Sequence, residues 1–282
     1  MSYTLAVIGG SGLYDLEGLR DVEELVVDTP YGAPSDAIVR GKLGDVTMLF
    51  LPRHGRGHRI PPSSINYRAN VCALKQVGAT HLLSVSAVGS MREDIEPGDL
   101  VVVDQFIDLT RRRTSTFFDE DVAAHVSFAD PVCPALAAAT ADAATRAGAR
   151  VHRGGTYVCI EGPQFSTRAE SHLYRSWGVA VIGMTNMPEA KLAREAELPY
   201  ATIALATDYD CWHVSEKDVT VADIIAVLSS AVTRAKATLR ELAPTLPDPT
   251  ASPAHRALAN AVMTERERIP EAKRRELGWL LC

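Results

Sequence analysis

The chain has no cysteine pair at the C-x-x-C spacing of a zinc ligand set. Its five cysteines, Cys72, Cys133, Cys159, Cys211 and Cys282, stand far apart in 282 residues. An odd, scattered set argues against a disulfide framework and against a metal site. A long apolar run is also missing, since no stretch approaches the roughly 20 residues needed to span a bilayer. The N-terminus lacks the basic-then-apolar layout of a secretory signal, because the run from Leu5 to Ile8 meets glycines at once. Nor is there a basic excess. A formal charge of -6 offers little to a polyanion, so nucleic acid is not the expected partner. What is left, with 46% hydrophobic and 23% charged residues, is a globular chain able to bury a sizeable core, expected in a reducing cytoplasm.

Short apolar runs bounded by turn signals recur at 5–8, 47–51, 81–85, 100–103, 156–160, 179–182 and 201–206. Unbroken runs of this kind mark strands covered on both faces, as in a largely parallel sheet. Helical patterns alternate with them. Residues 64–77 can start from the Ser64 cap, Asn186 precedes Pro188 and Glu189 as a first turn, and Thr220 with Asp223 resembles a capping box. The alternation predicts an α/β domain over residues 1–243. Residues 244–253, with four prolines, read as a linker, and 254–282 as a C-terminal helical extension.

The apolar run 201–206 stops on Asp208 and Asp210. Two residues apart in extended backbone, their side chains point the same way. Paired carboxylates tend to split their pKa values, which keeps one protonated and able to give a proton to a leaving group. A solvated turn is the alternative. After the first run, Gly9, Gly10, Ser11 and Gly12 could converge backbone N–H groups on an anion, or form a tight turn. Arg53, His54, Arg56 and His58 follow the second run, as an oxyanion grip or an exposed basic loop. Ser84, Ser86, Ala87 and Gly89 let a ligand approach backbone, unless they are a plain turn. Phe165 after a glycine-proline turn could stack on a flat ligand or sit in the core. Thr185 could bond an anion or sugar hydroxyl, while Met184 and Met187 fit core filler. Arg111, Arg112 and Arg113, the densest basic run, read as a solvated loop.

The set IGGSGL, RHGRGH, NYRAN, EGPQFSTRAE, MTNMPEA and ATDYDCW resembles the trimeric purine nucleoside phosphorylase family and, within it, the 5′-methylthioadenosine-cleaving branch, from Gly9 to about residue 243. The resemblance implies a mixed central β-sheet flanked by helices, a homotrimer, and phosphorolysis of a purine nucleoside with inorganic phosphate as co-substrate and no cofactor. It assigns phosphate to Ser11, Arg53, His54, Ser86, the Ala87 backbone and Thr185. It assigns ribose to Met184, purine to Phe165 and Ser166, and places Asp208 and Asp210 against the base. Asp208, Asp210 and His54 then become the catalytic candidates. Val221, Ile224 and Ile225 would take an apolar 5′ substituent, joined by His125 from the neighbouring subunit and by Leu280 or Leu281 of the tail. A carboxylate can accept from a 6-amino group, so aspartate favours adenine, and the apolar helix face favours a methylthio group. The implied reaction converts 5′-methylthioadenosine to adenine and 5-methylthioribose 1-phosphate, in purine and methionine salvage. The alternatives are a 6-oxopurine nucleoside phosphorylase, a broader 5′-deoxyadenosine/adenosine phosphorylase, a nicotinamide-dependent oxidoreductase, or a binding protein with a dead site.

Overall fold

The unbroken apolar runs fold as strands packed on both faces. In β1 (Thr4–Gly9), Leu5 and Val7 enter one apolar cluster while Ala6 and Ile8 enter another across the sheet, as side chains alternating along a strand must. The computed structural model describes residues 3–10, 12–213 and 221–281, with only the backbone of 221–226. Among these residues, eleven strands form one mixed sheet. After β1 come β2 (Arg20–Leu25), β3 (Ile38–Leu43), β4 (Val46–Pro52), β5 (His81–Ser90), β6 (Leu100–Val102), β7 (Gln105–Asp108), β8 (Val151–Arg153), β9 (Thr156–Cys159), β10 (Val181–Gly183) and β11 (Tyr200–Asp208). The helices are α1 (Tyr67–Gln76), α2 (Pro134–Arg146), α3 (Arg168–Ser176), α4 (Asn186–Glu195), α5 (Val221–Leu242) and α6 (Glu271–Glu276). Val71 and Leu74 of α1 and Leu192 of α4 cover the face that carries Ala6 and Ile8. Leu136 of α2 and Leu239 of α5 cover the opposite one.

Every apolar run becomes a strand, and β2, β3, β7 and β8 are added. Exposure explains why β2 escaped: nearly all of it faces solvent, so no apolar run marks it. The cap of α1 is Asn66, whose side chain accepts from Ala69 N at 3.2 Å, while Ser64 closes a preceding 3-10 turn. Thr220 and the Asp223 side chain lie outside the described residues.

Residues 244–253 do not hang free as a linker. They form 3-10 turns at Ala243–Thr245 and Pro249–Ala251, Leu246 is buried, and Pro247 O lies 2.9 Å from His81 Nε2. The extension is mostly turns, with one six-residue helix, α6. Leu258, Ala261, Ile269 and Leu277 join the α1/α4 cluster, and Trp279 meets Phe117 edge-on at 4.9 Å. Prolines supply rigid bends that let this segment follow the surface without a long helix. Leu277 is fully buried, so Leu277→Ala is expected to lower unfolding free energy by about 2–5 kcal/mol. Urea denaturation measures it, and a loss under about 0.5 kcal/mol, the size of a surface change, would show that the tail lies outside the cooperative core.

Candidate active site

The site arises from a fork in the sheet. β1 pairs with β5 only along His81–Ser84, and β10 joins β5 only at Gly89 and Ser90. On the far edge β5 stays paired with β11 throughout. Val85–Val88 therefore face neither β1 nor β10, and a cavity of about 600 Å³ opens there. It lies beyond the carboxyl ends of β1, β4 and β11, at a switch point where an α/β sheet leaves room for a ligand. Ala87 is exposed to it within a mostly buried strand.

One end of the cavity is built for an oxyanion. β4 delivers Arg53 and His54. Arg53, 2% exposed, pairs through Nε with Glu189 Oε2 at 2.9 Å and donates to Ile8 O, Ser84 Oγ and Val85 O. Burial works against its charge, but Glu189 outweighs that and holds the guanidinium proton more firmly. Nη1 spends one hydrogen on Val85 O, and its other hydrogen has no partner among the described residues. Arg53 is thus mainly a structural cation with a single N–H left for a ligand. His54 Nδ1 lies 2.8 Å from Ile60 O, so it carries the hydrogen and leaves Nε2 as an acceptor. Burial first, then Arg53, lowers this imidazole to about 4. It is stacked on His58 at 4.1 Å. Thr185 sits at the N-cap of α4 without capping it, and its hydroxyl meets Ser86 Oγ at 2.9 Å instead. Ser11 lies outside the described residues.

The other end holds the carboxylates, though not as a simple strand pair. A bulge between Ala206 and Asp208 shifts the register, and Asp210 has φ +51°. The two side chains reach the same cavity through a bulge and a left-handed turn, not through the strand pleat. Asp208 accepts from Thr207 Oγ1 at 2.6 Å and from Asp210 N at 2.8 Å. Asp210 Oδ2 accepts from Ser171 Oγ at 2.5 Å. Both carboxyls are pushed up, and burial is the main cause; repulsion from Asp208 adds to it at Asp210. A Cβ on Gly89 would come 3.0 Å from Asp208 Oδ1, so a glycine there makes the room.

Between the ends, Ile160, Pro163, Phe165, Ser166 and Met184 line the walls. Phe165 is 59% exposed, at the rim rather than in the core. Ser166 Oγ is buried with no hydrogen-bond partner among the described residues. Met187 is core, as filler should be. The side chains of Val221, Ile224 and Ile225 lie outside the described residues; Leu228 and Val232, further along α5, line the cavity. His125 is exposed, its N–H bonded to Ala261 O at 2.8 Å, and neither it nor Leu280 or Leu281 lines this chain's own cavity. The arginine run is not a solvated loop throughout, since the Arg113 side chain is 1% exposed. Sequence reasoning also passed over Thr207, Ser171, Glu161 and Glu189. Thr207, Glu161 and Glu189 stood inside motifs already quoted, while Ser171 carries no local signal.

His54 titrates at 6.5 in its ordinary state and at about 4 in the fold. The stability it lends is therefore full above its unfolded value and lost as pH falls toward its folded one. A shift of this size corresponds to about 3 kcal/mol. His54→Gln should flatten that part of the curve, followed by urea unfolding across this pH window; an unaltered slope would contradict a neutral buried imidazole.

Residues 4–244 match the family model of the phosphorylase superfamily. Over its whole length the chain is 56% identical to the S-methyl-5′-thioadenosine phosphorylase of Geobacter sulfurreducens, 99% of which is covered. It is 54% identical to the protein of that name from Thermosynechococcus vestitus, again with 100% of this chain and 99% of the relative covered. Among solved structures it superposes on a methylthioadenosine phosphorylase from an Antarctic soil metagenomic library with a TM-score of 0.95 at 47% identity, covering 100% of this chain and 99% of that one. A Schistosoma mansoni adenosine/methylthioadenosine phosphorylase variant, solved with methylthioadenosine, aligns with a TM-score of 0.81 at 38% identity over 88% of this chain and 93% of its own. With the match running from β1 to α5, this chain belongs to the phosphorylase superfamily.

Proposed function

We propose that the protein cleaves 5′-methylthioadenosine with inorganic phosphate, giving adenine and 5-methylthioribose 1-phosphate for purine and methionine salvage. The observation that carries this reading is the polarity of one cavity. Hydroxyls, a neutral imidazole and a guanidinium N–H occupy one end, and two carboxyls with raised pKa, Asp208 half-buried and Asp210 buried, occupy the other. The relatives' names add the substrate.

Phosphate held at Ser86, Thr185, the Ala87 backbone and His54 attacks the anomeric carbon. A C–O bond forms to phosphate as the C–N bond to the purine breaks, through an oxocarbenium-like sugar. His54 Nε2 accepts a hydrogen bond from the remaining P–OH group and so orients a monoprotonated phosphate. Asp208 gives its proton toward N7 of the departing base, and such help is typically worth ~10²–10⁴-fold. Phosphate is itself the nucleophile, so the reaction needs no cofactor. Leu228 and Val232 suit an apolar 5′ group. One methylthio group shifts preference by only about 1–3 kcal/mol, so adenosine and 5′-deoxyadenosine are side substrates. The active unit in this reading is a homotrimer in which His125 completes a neighbour's site; its exposure on this chain suits that role. The four described cysteines are unpaired, as suits the cytoplasm.

Asp208→Ala should lose ~10²–10⁴-fold in turnover while unfolding normally, and a near-normal rate would remove Asp208 from the acid role. Because the Asp208 carboxyl is raised, the rate should fall as pH climbs through its pKa, and Asp208→Asn should lack that limb. Asp208→Asn should also shift preference toward 6-oxopurines, since an acceptor becomes a donor. An unchanged ratio of adenine to hypoxanthine release would argue against base recognition at this carboxyl.

A further inference from the structure

Arg113 touches neither end of the cavity, yet its buried guanidinium grips the backbone of both walls. Nη1 donates to Met184 O and Met187 O, each at 2.6 Å, with Tyr67 OH 3.1 Å away. Nη2 donates to Glu161 O at 2.8 Å, and Nε to Glu161 Oε1 at 3.1 Å. Glu161 is caged in turn: its Oε2 accepts from Arg111 N at 2.6 Å and Arg112 N at 3.1 Å, and Ser63 Oγ donates to Oε1. Burial would raise this carboxyl, but those donors outweigh it and hold it at about 2, ionised opposite the arginine. The three arginines read from sequence as a loop are one device.

The two gripped segments carry different parts of the site. Residues 160–167, between β9 and α3, present Phe165 and Ser166. Residues 184–185, between β10 and α4, present Met184 and Thr185. Their last mutual backbone bond among the described residues is Ile160 N to Gly183 O at 2.9 Å. Beyond that bond the walls diverge, and Gly162 has room only because it lacks a Cβ, which would fall 2.5 Å from Met184 Sδ. A planar fork with five donors can hold carbonyls on both sides at once; a lysine ammonium cannot.

We propose that Arg113 is a positioning residue for phosphorolysis, setting the gap between the purine wall and the sugar–phosphate wall. This rests on the functional reading above. Each wall binds its own fragment alone, so the bridge matters when both are occupied and the reacting atoms must meet. A misplacement of about 1 Å can cost ~10²-fold in rate.

Arg113→Lys keeps the charge and loses the fork. It is tested by steady-state turnover of 5′-methylthioadenosine with phosphate, beside calorimetric titrations of adenine alone and phosphate alone. The expected result is a kcat lower by roughly 10–100-fold, with both fragment affinities within about threefold of the unsubstituted protein. Glu161→Gln, which keeps shape and removes the counter-charge, should lower kcat in the same pattern by a smaller factor, and it carries the test if the lysine variant does not fold. A kcat within about threefold in the folded variant overturns the proposal. So does a parallel loss of kcat and both affinities, which marks general damage. Absence of phosphate-dependent adenine release in the unsubstituted protein would instead overturn the functional reading.

Discussion

The ion pair between Arg53 and Glu189 sits where the sheet forks, and both side chains are almost fully buried. Two charges removed from water are costly unless every lone pair and hydrogen is met. Here Arg53 spans the end of β1 at Ile8 O and the middle of β5 at Ser84 and Val85, while Glu189 brings in α4 and also accepts from Tyr200 OH at 3.1 Å. The pair fills the place where the pairing of β1 with β5 stops, and bridges the two strands there. Breaking such a pair by removing one partner typically costs about 3–5 kcal/mol. The fork, and with it the cavity, depends on this contact.

From that constraint the chemistry divides in two. Near the pair, hydroxyls from β5 and the start of α4 lie within hydrogen-bond reach of each other, beside an imidazole kept neutral by burial. Across the cavity, the bulge in β11 and the left-handed Asp210 turn two carboxyls inward, where burial favours their protonated forms. A site that stabilises incoming negative charge at one end and supplies a proton at the other can polarise a glycosidic bond between them. Preorganised groups of this sort act without reorganising during the reaction.

Much of this was legible in the chain because it rests on local patterns. Runs such as 5–8 and 201–206 announce strands buried on both faces, and residues just after them, Gly10 in one case and Asp208 and Asp210 in the other, line the cavity. Other parts rest on long-range pairing. That Arg53 meets Glu189, 136 residues on, is invisible to spacing. Asp208 and Asp210 were placed correctly at a strand end for an incomplete reason, since a bulge cannot be read from two aspartates. Arg113 looked solvated because charge alone suggests water, whereas tertiary carbonyls bury it. The prolines of 244–253 signalled a break in helix and strand, and the break is real; what they did not signal is that the chain continues against the core.

The most direct test is release of free purine from 5′-methylthioadenosine with and without inorganic phosphate, run beside inosine under the same conditions. Adenine release that requires phosphate, with inosine inert, is the predicted result. Inosine cleavage with 5′-methylthioadenosine untouched, or purine release indifferent to phosphate, would contradict it.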